Sequence, residues 1–314
     1  MLTVGKPFDR MTVSELSRVR VSPFLWRTLL FLALAIALGV AILRTQGILA
    51  FAAMALLGLV YAHGVELQHQ ALHNTAFPSK FWNRLVGFFL GLPMLVSYSD
   101  YQHSHLRHHR LLGTADDREF FNYGYDRLTS LKPLVAHLLM LRHYRDVSGF
   151  IARSLLGWTK PGIKPETARK IRAEYRWMAF FLAAAVALSI VFHTWAALYL
   201  WLVPLLFAIP AHAMVELPEH WGRDHGTLDV TANTRTIKAG PLGSWYTNGN
   251  NFHVEHHWLP GVPNDRFAEL HRAIEGTIAG EEGAETYPAF YRRFFLELYR
   301  NTFVVKSREG GAEA

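Results

Sequence analysis

The chain has 314 residues, of which 51% are hydrophobic and 18% are charged, and its formal net charge is +7. A soluble globular domain typically contains about 25% charged residues, so this composition favours an integral membrane protein. The sequence contains no cysteine, which excludes disulfides, zinc–thiolate sites and a fused iron–sulfur or rubredoxin module within it.

Four apolar runs are long enough to cross a bilayer, which takes about 20 residues of helix. They lie at residues 24–44, 47–65, 177–193 and 196–215. Only two residues separate the members of each pair, so the pattern predicts two helical hairpins. We therefore expect an all-α integral membrane fold with both termini on one side of the bilayer.

The basic residues predict the orientation of the chain, because short segments rich in Lys and Arg stay on the cytoplasmic side of a membrane. Fifteen Lys or Arg residues lie between positions 66 and 175, whereas the two short hairpin loops contain none. We expect the termini and the central segment to be cytoplasmic. A cytoplasmic face that lies on anionic lipid accounts for the positive charge, and docking of an acidic protein is the alternative.

Two segments between the spans mix bulky apolar side chains with Arg and His, as helices in a membrane interface do. They cover residues 81–95 and 131–158, and we expect them to contribute to a cytoplasmic helical cap. The predicted organisation is a cytoplasmic segment at 1–23, a membrane domain at 24–275, and a cytoplasmic helix and tail at 276–314.

The histidines are concentrated in three short clusters. The segment "HQALH" places two of them four residues apart after the second span, and "HLRHH" and "HVEHH" each contain three. On a helix, the spacing i, i+3 and i+4 directs the side chains of a cluster to one face. The eight residues are His69, His73, His105, His108, His109, His253, His256 and His257.

Clustered imidazoles indicate a metal site, although a lone histidine in the same place is usually a core or surface residue. Imidazole binds zinc, copper, iron and nickel. One catalytic zinc takes three protein ligands, and the first cluster lacks the HExxH pattern of metalloproteases. Eight histidines therefore favour two ions with open positions, and two irons that activate dioxygen fit better than a zinc hydrolase.

The three clusters resemble the three histidine boxes of the membrane fatty-acid desaturase and hydroxylase superfamily, in order and in placement relative to two hairpins. The flanking segments are also similar to those of the family. They read "HQALHNTAFPSKFWNRLVGFFLGLP" at the first box, "HLRHHRLLGTADDREF" at the second and "NNFHVEHHWLPGVP" at the third. The resemblance covers residues 25–275.

This resemblance implies a four-span membrane domain whose cytoplasmic cap holds a non-haem di-iron centre, with the eight box histidines as ligands. It also implies a ninth ligand between the last span and the third box, for which His220 is the candidate. His212 and Glu216 precede it at four-residue spacing. Each of these two is left open as a ligand, a group that orients a ligand, or a polar group at the membrane boundary.

Other residues near the boxes have weaker assignments. A ligating imidazole usually donates its second N–H to a carboxylate or carbonyl, and Asp116, Asp117, Asn251 and Glu255 are close enough in sequence to accept it. A surface or capping role is the alternative for each. Many relatives have an acidic residue where this chain has Gln70. We expect no metal role for the histidines without partner spacing: His63, His103, His137, His143, His193 and His271.

The reaction implied by the resemblance is dioxygen activation at reduced di-iron, followed by hydrogen abstraction from an unactivated C–H bond. We expect an acyl chain of a lipid or acyl thioester as substrate, entering from the bilayer and leaving desaturated. A separate ferredoxin, rubredoxin or cytochrome b5-type protein would supply the electrons, and no nucleic acid is expected as a partner. Hydroxylation or ketolation of a fatty acid, alkane or carotenoid is the alternative, and a zinc-dependent membrane hydrolase is a third hypothesis.

Overall fold

A computed structural model describes residues 10–118, 120–121, 128–274 and 285–304, and the regular structure in these ranges is helical, without a β-strand. The predicted all-α class is confirmed. In chain order the helices are α1 (Arg10–Leu16), α2 (Val21–Arg44), α3 (Gly47–Leu72), α4 (Lys80–Gly91), α5 (Tyr98–Leu111), α6 (Leu131–Leu138), α7 (Leu141–Leu155), α8 (Pro165–Val191), α9 (Val203–His220), α10 (Val230–Asn233), α11 (Pro241–Tyr246), α12 (His253–Trp258), α13 (Phe267–Ile274) and α14 (Tyr287–Tyr299).

Four of the described helices are long and apolar enough to cross a membrane, as predicted, and they contain α2, α3, α8 and α9. Large apolar side chains on their outer surfaces remain exposed, including Trp26, Ile36 and Val191. Contiguous apolar surface of this kind is rare on soluble monomers and is suited to contact with lipid. The pairing of the spans into hairpins and the placement of a cap in the cytoplasm stay predictions.

The spanning helices extend beyond the apolar runs that predict them. Helix α3 continues to Leu72 and α9 to His220, because helical hydrogen bonding persists after the sequence becomes polar. Helix α8 already begins at Pro165, well before the predicted third span at 177–193, and proline is well accepted in the first turn of a helix. The extensions of α3 and α9 carry His69 and His220, so the same helices form both the membrane bundle and the histidine site.

Helices α3 and α9 run in the same direction and pack closely. A Cβ atom added at Gly58 of α3 would lie 2.3 Å from the carbonyl oxygen of Pro204 and 2.7 Å from the Cβ of Phe207. Glycine therefore permits backbones to approach to a distance that any side chain would prevent. Further along both helices Glu66 faces His212, which shows that the two C-terminal ends lie side by side.

Helix α5, which carries the second histidine cluster, is fixed at its N-terminus by a buried carboxylate of α8. Glu174 accepts hydrogen bonds from the Ser97 hydroxyl at 2.8 Å, the Ser99 hydroxyl at 2.6 Å and the Ser99 backbone N–H at 2.8 Å. The next residue, Tyr175, donates its hydroxyl to Asp100 at 2.8 Å. A negative charge is favourable at a helix N-terminus, so these contacts stabilise the position of α5.

The close contact of α3 with α9 predicts that Gly58→Ala will destabilise the protein. The added methyl group must displace backbone atoms of α9, and overpacking of this kind typically costs about 1–3 kcal/mol. Gly39→Ala is the matched control, since its Cβ would meet only Leu200 at 3.8 Å. Thermal unfolding in detergent should show a lower midpoint for Gly58→Ala and an equal or higher one for Gly39→Ala; equal midpoints for Gly58→Ala and wild type would contradict the packing.

Candidate metal centre

The nine histidines predicted as ligands converge in the protein interior. They come from the end of α3 and the residue after it, from α5, from the last residue of α9 and from α12. Seven are buried, and His73 and His109 are half-buried. In chain order the nine are His69, His73, His105, His108, His109, His220, His253, His256 and His257.

The first histidine group is centred on His105. Its Nε2 atom lies 2.7 Å from that of His69, 3.0 Å from those of His73 and His109, and 3.3 Å from that of His256. Each Nε2 of a neutral ring either donates or accepts one hydrogen bond. Hydrogen bonds between the rings therefore cannot satisfy five Nε2 atoms that point at one place.

The second histidine group comprises His108, His220, His253 and His257. The Nε2 atom of His253 lies 3.1 Å from those of His220 and of His257. His108, His220 and His257 also place one ring nitrogen each within 4.8 Å of one another. Side chains from three different helices thus surround a second position that could hold a metal ion.

The two groups adjoin each other. The rings of His109 and His257 stack at a centroid distance of 4.1 Å, and the Nε2 atoms of His109 and His256 are 2.9 Å apart. These three residues also have ligand atoms within 4.8 Å of one another. The arrangement therefore provides two neighbouring positions for metal ions within one continuous cluster.

Burial keeps these imidazoles uncharged. Removal from water lowers the pKa of His73 to about 3, and it lowers the pKa values of His105, His109, His253 and His256 well below the usual range, to which neighbouring histidines add repulsion. At neutral pH each ring therefore has one nitrogen lone pair free of a proton. Neutral imidazole is the form that binds metal.

The residues present fit bound metal ions. Ligand nitrogens on one ion, each at about 2 Å from it, lie roughly 3–4 Å apart, and the Nε2 separations in both groups are near this range. An all-imidazole donor set suits iron, zinc, copper or nickel. Assignment of the nine histidines as ligands stays a prediction that this geometry supports.

Outward-facing nitrogens of three of these rings contact oxygen atoms. His108 Nδ1 lies 2.9 Å from the Asp117 carboxylate, His220 Nδ1 lies 3.0 Å from the carbonyl oxygen of Asn233, and His253 Nδ1 lies 3.4 Å from Glu219. For His108 and His220, the acceptor at Nδ1 favours the tautomer with its proton there and leaves the Nε2 lone pair directed inward, whereas the Nδ1 atom of His253 forms no hydrogen bond with Glu219. Asp117 thus occupies the place that the sequence predicts.

The other predicted orienting residues do not contact a ring of the nine. Asp116 is exposed. Asn251 donates to a backbone carbonyl at 3.0 Å, and Glu255 accepts from the Thr236 hydroxyl at 2.6 Å and contacts His271. The side chains of Asn251 and Glu255 therefore point away from the histidine cluster. Their hydrogen bonds instead hold the segment that carries α12.

Sequence reasoning missed two of the groups that contact the rings. Glu219 directly precedes His220, and this adjacency is the signal that identifies it. The acceptor for His220 is the backbone carbonyl of Asn233, which any residue type supplies, so the sequence holds no signal for it. Glu219 also accepts a hydrogen bond from Asn250 at 2.6 Å, which links the end of α9 to the loop before α12.

The histidines expected to have no metal role lie outside both groups. His63 Nδ1 is 2.6 Å from the carbonyl oxygen of Tyr246, and His137 Nε2 is 3.3 Å from that of Ala213. His212 and Glu216, which the sequence leaves open, join Glu66 in a separate buried cluster. Gln70 accepts a hydrogen bond from an asparagine side chain and contacts none of the nine rings.

A cavity of about 340 Å³ opens beside the first histidine group. Its lining includes the basic side chains of Arg107 and Arg142 and the rings of Phe120 and Phe121. Tyr101 packs on these two phenylalanines at centroid distances of 4.9 and 5.2 Å, and its opposite side lies against a histidine of the first group. One aromatic layer therefore separates the cavity from the histidines.

Comparison with known proteins gives matches over most of the chain. The fatty acid desaturase family matches residues 46–289. A sphingolipid delta(4)-desaturase DES1-like protein of Arabidopsis thaliana is 27% identical over 281 residues, covering 85% of this chain and 76% of that protein. A delta(8)-fatty-acid desaturase of Euglena gracilis is 23% identical over 254 residues, covering 72% of this chain and 60% of that protein.

A third relative, the sn-1 oleoyl-lipid 12-desaturase of Picosynechococcus sp., is 22% identical over 237 residues, covering 66% of this chain and 63% of that protein. The chain thus spans about three fifths of the length of the Euglena and Picosynechococcus relatives. The family match covers more than half of the chain and contains all nine convergent histidines. This protein therefore belongs to the fatty acid desaturase family.

Proposed function

We propose that this protein is a membrane di-iron oxidoreductase that desaturates an acyl chain of a lipid or acyl thioester. The observation that carries the proposal is the convergence of nine histidines into two adjoining groups, to which two membrane-spanning helices contribute His69 and His220. The desaturase names of the relatives support the same reaction. Those names specify sphingolipid, fatty-acid and oleoyl-lipid desaturases. Because all of these substrates contain an acyl chain, we propose only an acyl chain as the substrate of this protein.

The reaction is balanced by dioxygen and an external reductant. A –CH2–CH2– unit, O2, two electrons and two protons give –CH=CH– and two molecules of water. Two iron ions, when bound and reduced, would supply the oxidising power needed to remove hydrogen from an unactivated C–H bond. The nine histidines of the two groups would hold these ions.

The protein's own residues keep the site ordered and dry. Asp117 and the Asn233 carbonyl hold the rings of His108 and His220 from outside, so that their Nε2 atoms stay directed inward while substrate enters and product leaves. Packing of Tyr101 against the first histidine group separates that side from the cavity. Exclusion of water protects a reactive centre from side reactions.

The cavity beside the first group is suited to the polar end of the substrate. Arg107 and Arg142 line it, and neither side chain forms an ion pair in the described part of the chain. A phosphate-bearing lipid or thioester would interact favourably with such unpaired cations. We propose that the polar end lies here while the acyl chain extends past the aromatic layer towards the histidines.

The two electrons are proposed to come from a separate ferredoxin, rubredoxin or cytochrome b5-type protein, because this sequence has no cysteine to bind an iron–sulfur carrier. We place the termini, the histidine boxes and the docking surface on the cytoplasmic side. The distribution of Lys and Arg supports this orientation. The four spans are proposed to form two hairpins beneath a helical cap.

Lipid mass spectrometry tests the function. In cells that express the wild type together with a ferredoxin system, we expect a lipid product lighter by two hydrogens, and His256→Ala should abolish it because His256 belongs to the first group. His193→Asn is the control, since His193 is exposed and lies at the far end of α8. A product that gains oxygen instead would contradict desaturation and favour hydroxylation or ketolation.

Asp117→Asn should weaken iron binding, because the His108 ring loses its anionic partner. Loss of such an outer contact typically lowers metal affinity about 10–100-fold. The matched control is Asp116→Asn, which changes an exposed carboxylate in the adjacent position. Iron retained per chain after dialysis against graded concentrations of a chelator measures the effect; equal retention in the two variants would show that the Asp117 contact does not support the site.

A further inference from the structure

A second cluster of possible metal ligands lies within the membrane-spanning helices. Glu66 of α3 and His212 and Glu216 of α9 place one ligand atom each within 4.8 Å of one another. Their relative exposures are 2%, 0% and 3%, so the cluster is sealed from solvent. It shares no residue with the histidine groups and lies about one helical turn before His69 on α3 and His220 on α9. We call these three residues the Glu–His–Glu cluster.

The His212 ring lies between the two carboxylates without being hydrogen-bonded to them. Its Nδ1 atom is 3.3 Å from Glu66 Oε1, and its Nε2 atom is 3.1 Å from Glu216 Oε1. Both ring nitrogens and the Oε2 atom of each carboxylate lack a hydrogen-bond partner among the described residues. Buried polar atoms without partners are rare in native proteins, and a bound ion is one of the explanations for them.

The charge of the cluster in its deprotonated form suits a divalent cation. When the imidazole carries no proton on its ligating nitrogen, as metal binding requires, the two carboxylates give the cluster a charge of −2. No Lys or Arg side chain in the described ranges forms an ion pair with Glu66 or Glu216. A buried charge within a membrane is costly unless it is paired, and a divalent ion would balance it.

The titratable side chains that approach from neighbouring helices do not supply this charge. His137 of α6 and His143 of α7 both act electrostatically on the cluster. Burial lowers the pKa of His137 to about 4 and that of His143 to about 3, so both are neutral at physiological pH. His69, on the same helix as Glu66, faces the other histidines of the first group.

We propose that the Glu–His–Glu cluster binds one divalent metal ion, distinct from the ions of the histidine centre. Two carboxylate oxygens and one imidazole nitrogen form a donor set suited to zinc, manganese or ferrous iron. A divalent ion cancels the charge of −2 and provides partners for the unpaired ligand atoms. Because its ligands come from α3 and α9, the ion would join the two helices directly before they present His69 and His220.

Two protons would neutralise the cluster equally well, and a metal count separates the two cases. The full-length protein is expressed with iron, zinc and manganese in the medium, purified into lipid nanodiscs, and analysed for all three metals per chain. We expect three ions in the wild type and two in both Glu66→Gln and Glu216→Gln, since glutamine keeps the shape but removes the charge. His137→Gln is the control and should retain three, because His137 adjoins α9 without belonging to the donor set.

Three results would overturn the proposal. A wild type with two ions would mean that the cluster is neutralised by protons. Variants that keep three ions would mean that the third ion is bound elsewhere. Variants that fall below two would mean that the cluster is part of the histidine centre rather than a separate site. Lipid analysis of the same preparations separates this proposal from the proposed function. A protein that forms the double bond but binds only two ions refutes the extra site alone. A protein that binds three ions but forms no product refutes desaturation alone.

Discussion

The desolvation of nine imidazoles at one place is the constraint on which the rest of the structure depends. Uncharged rings that direct their Nε2 atoms at one another across 2.7–3.3 Å leave lone pairs that hydrogen bonds among them cannot all satisfy. Packed protein interiors seldom tolerate such unsatisfied polar atoms. Bound metal ions would remove the conflict, because every ring then contributes a lone pair to a shared acceptor.

The helices around the cluster are arranged to hold these rings in place. Gly58 allows α3 and α9 to approach until their C-terminal ends lie together, and Glu174 fixes the start of α5 from α8. The loop before α12 is joined to α9 through the contact of Asn250 with Glu219. Four segments distant in sequence thereby reach one location, and the membrane bundle and the metal centre depend on the same contacts.

The sequence predicts the features that depend on local spacing. Histidines spaced by three or four residues share a helical face whatever the tertiary structure, so the spacing identified each of the three boxes, and runs of apolar residues marked the four spans. The convergence of the boxes was expected only from the family resemblance. The ends of α3 and α9 were underestimated because hydropathy reports the membrane boundary and not the end of helical hydrogen bonding. The Asn233 carbonyl and the contact of Glu66 with His212 arise from chain segments that meet only in the folded protein, so periodicity gives no sign of them.

X-ray absorption spectroscopy at the iron edge of the purified wild-type protein tests the central claim most directly. The account predicts iron surrounded by nitrogen and oxygen neighbours, with the outer-shell scattering of imidazole rings and a second iron nearby. It also predicts that the histidine centre binds two irons per chain. Protein that is folded and active but holds only redox-silent zinc in the histidine groups, or iron without imidazole neighbours, would contradict it.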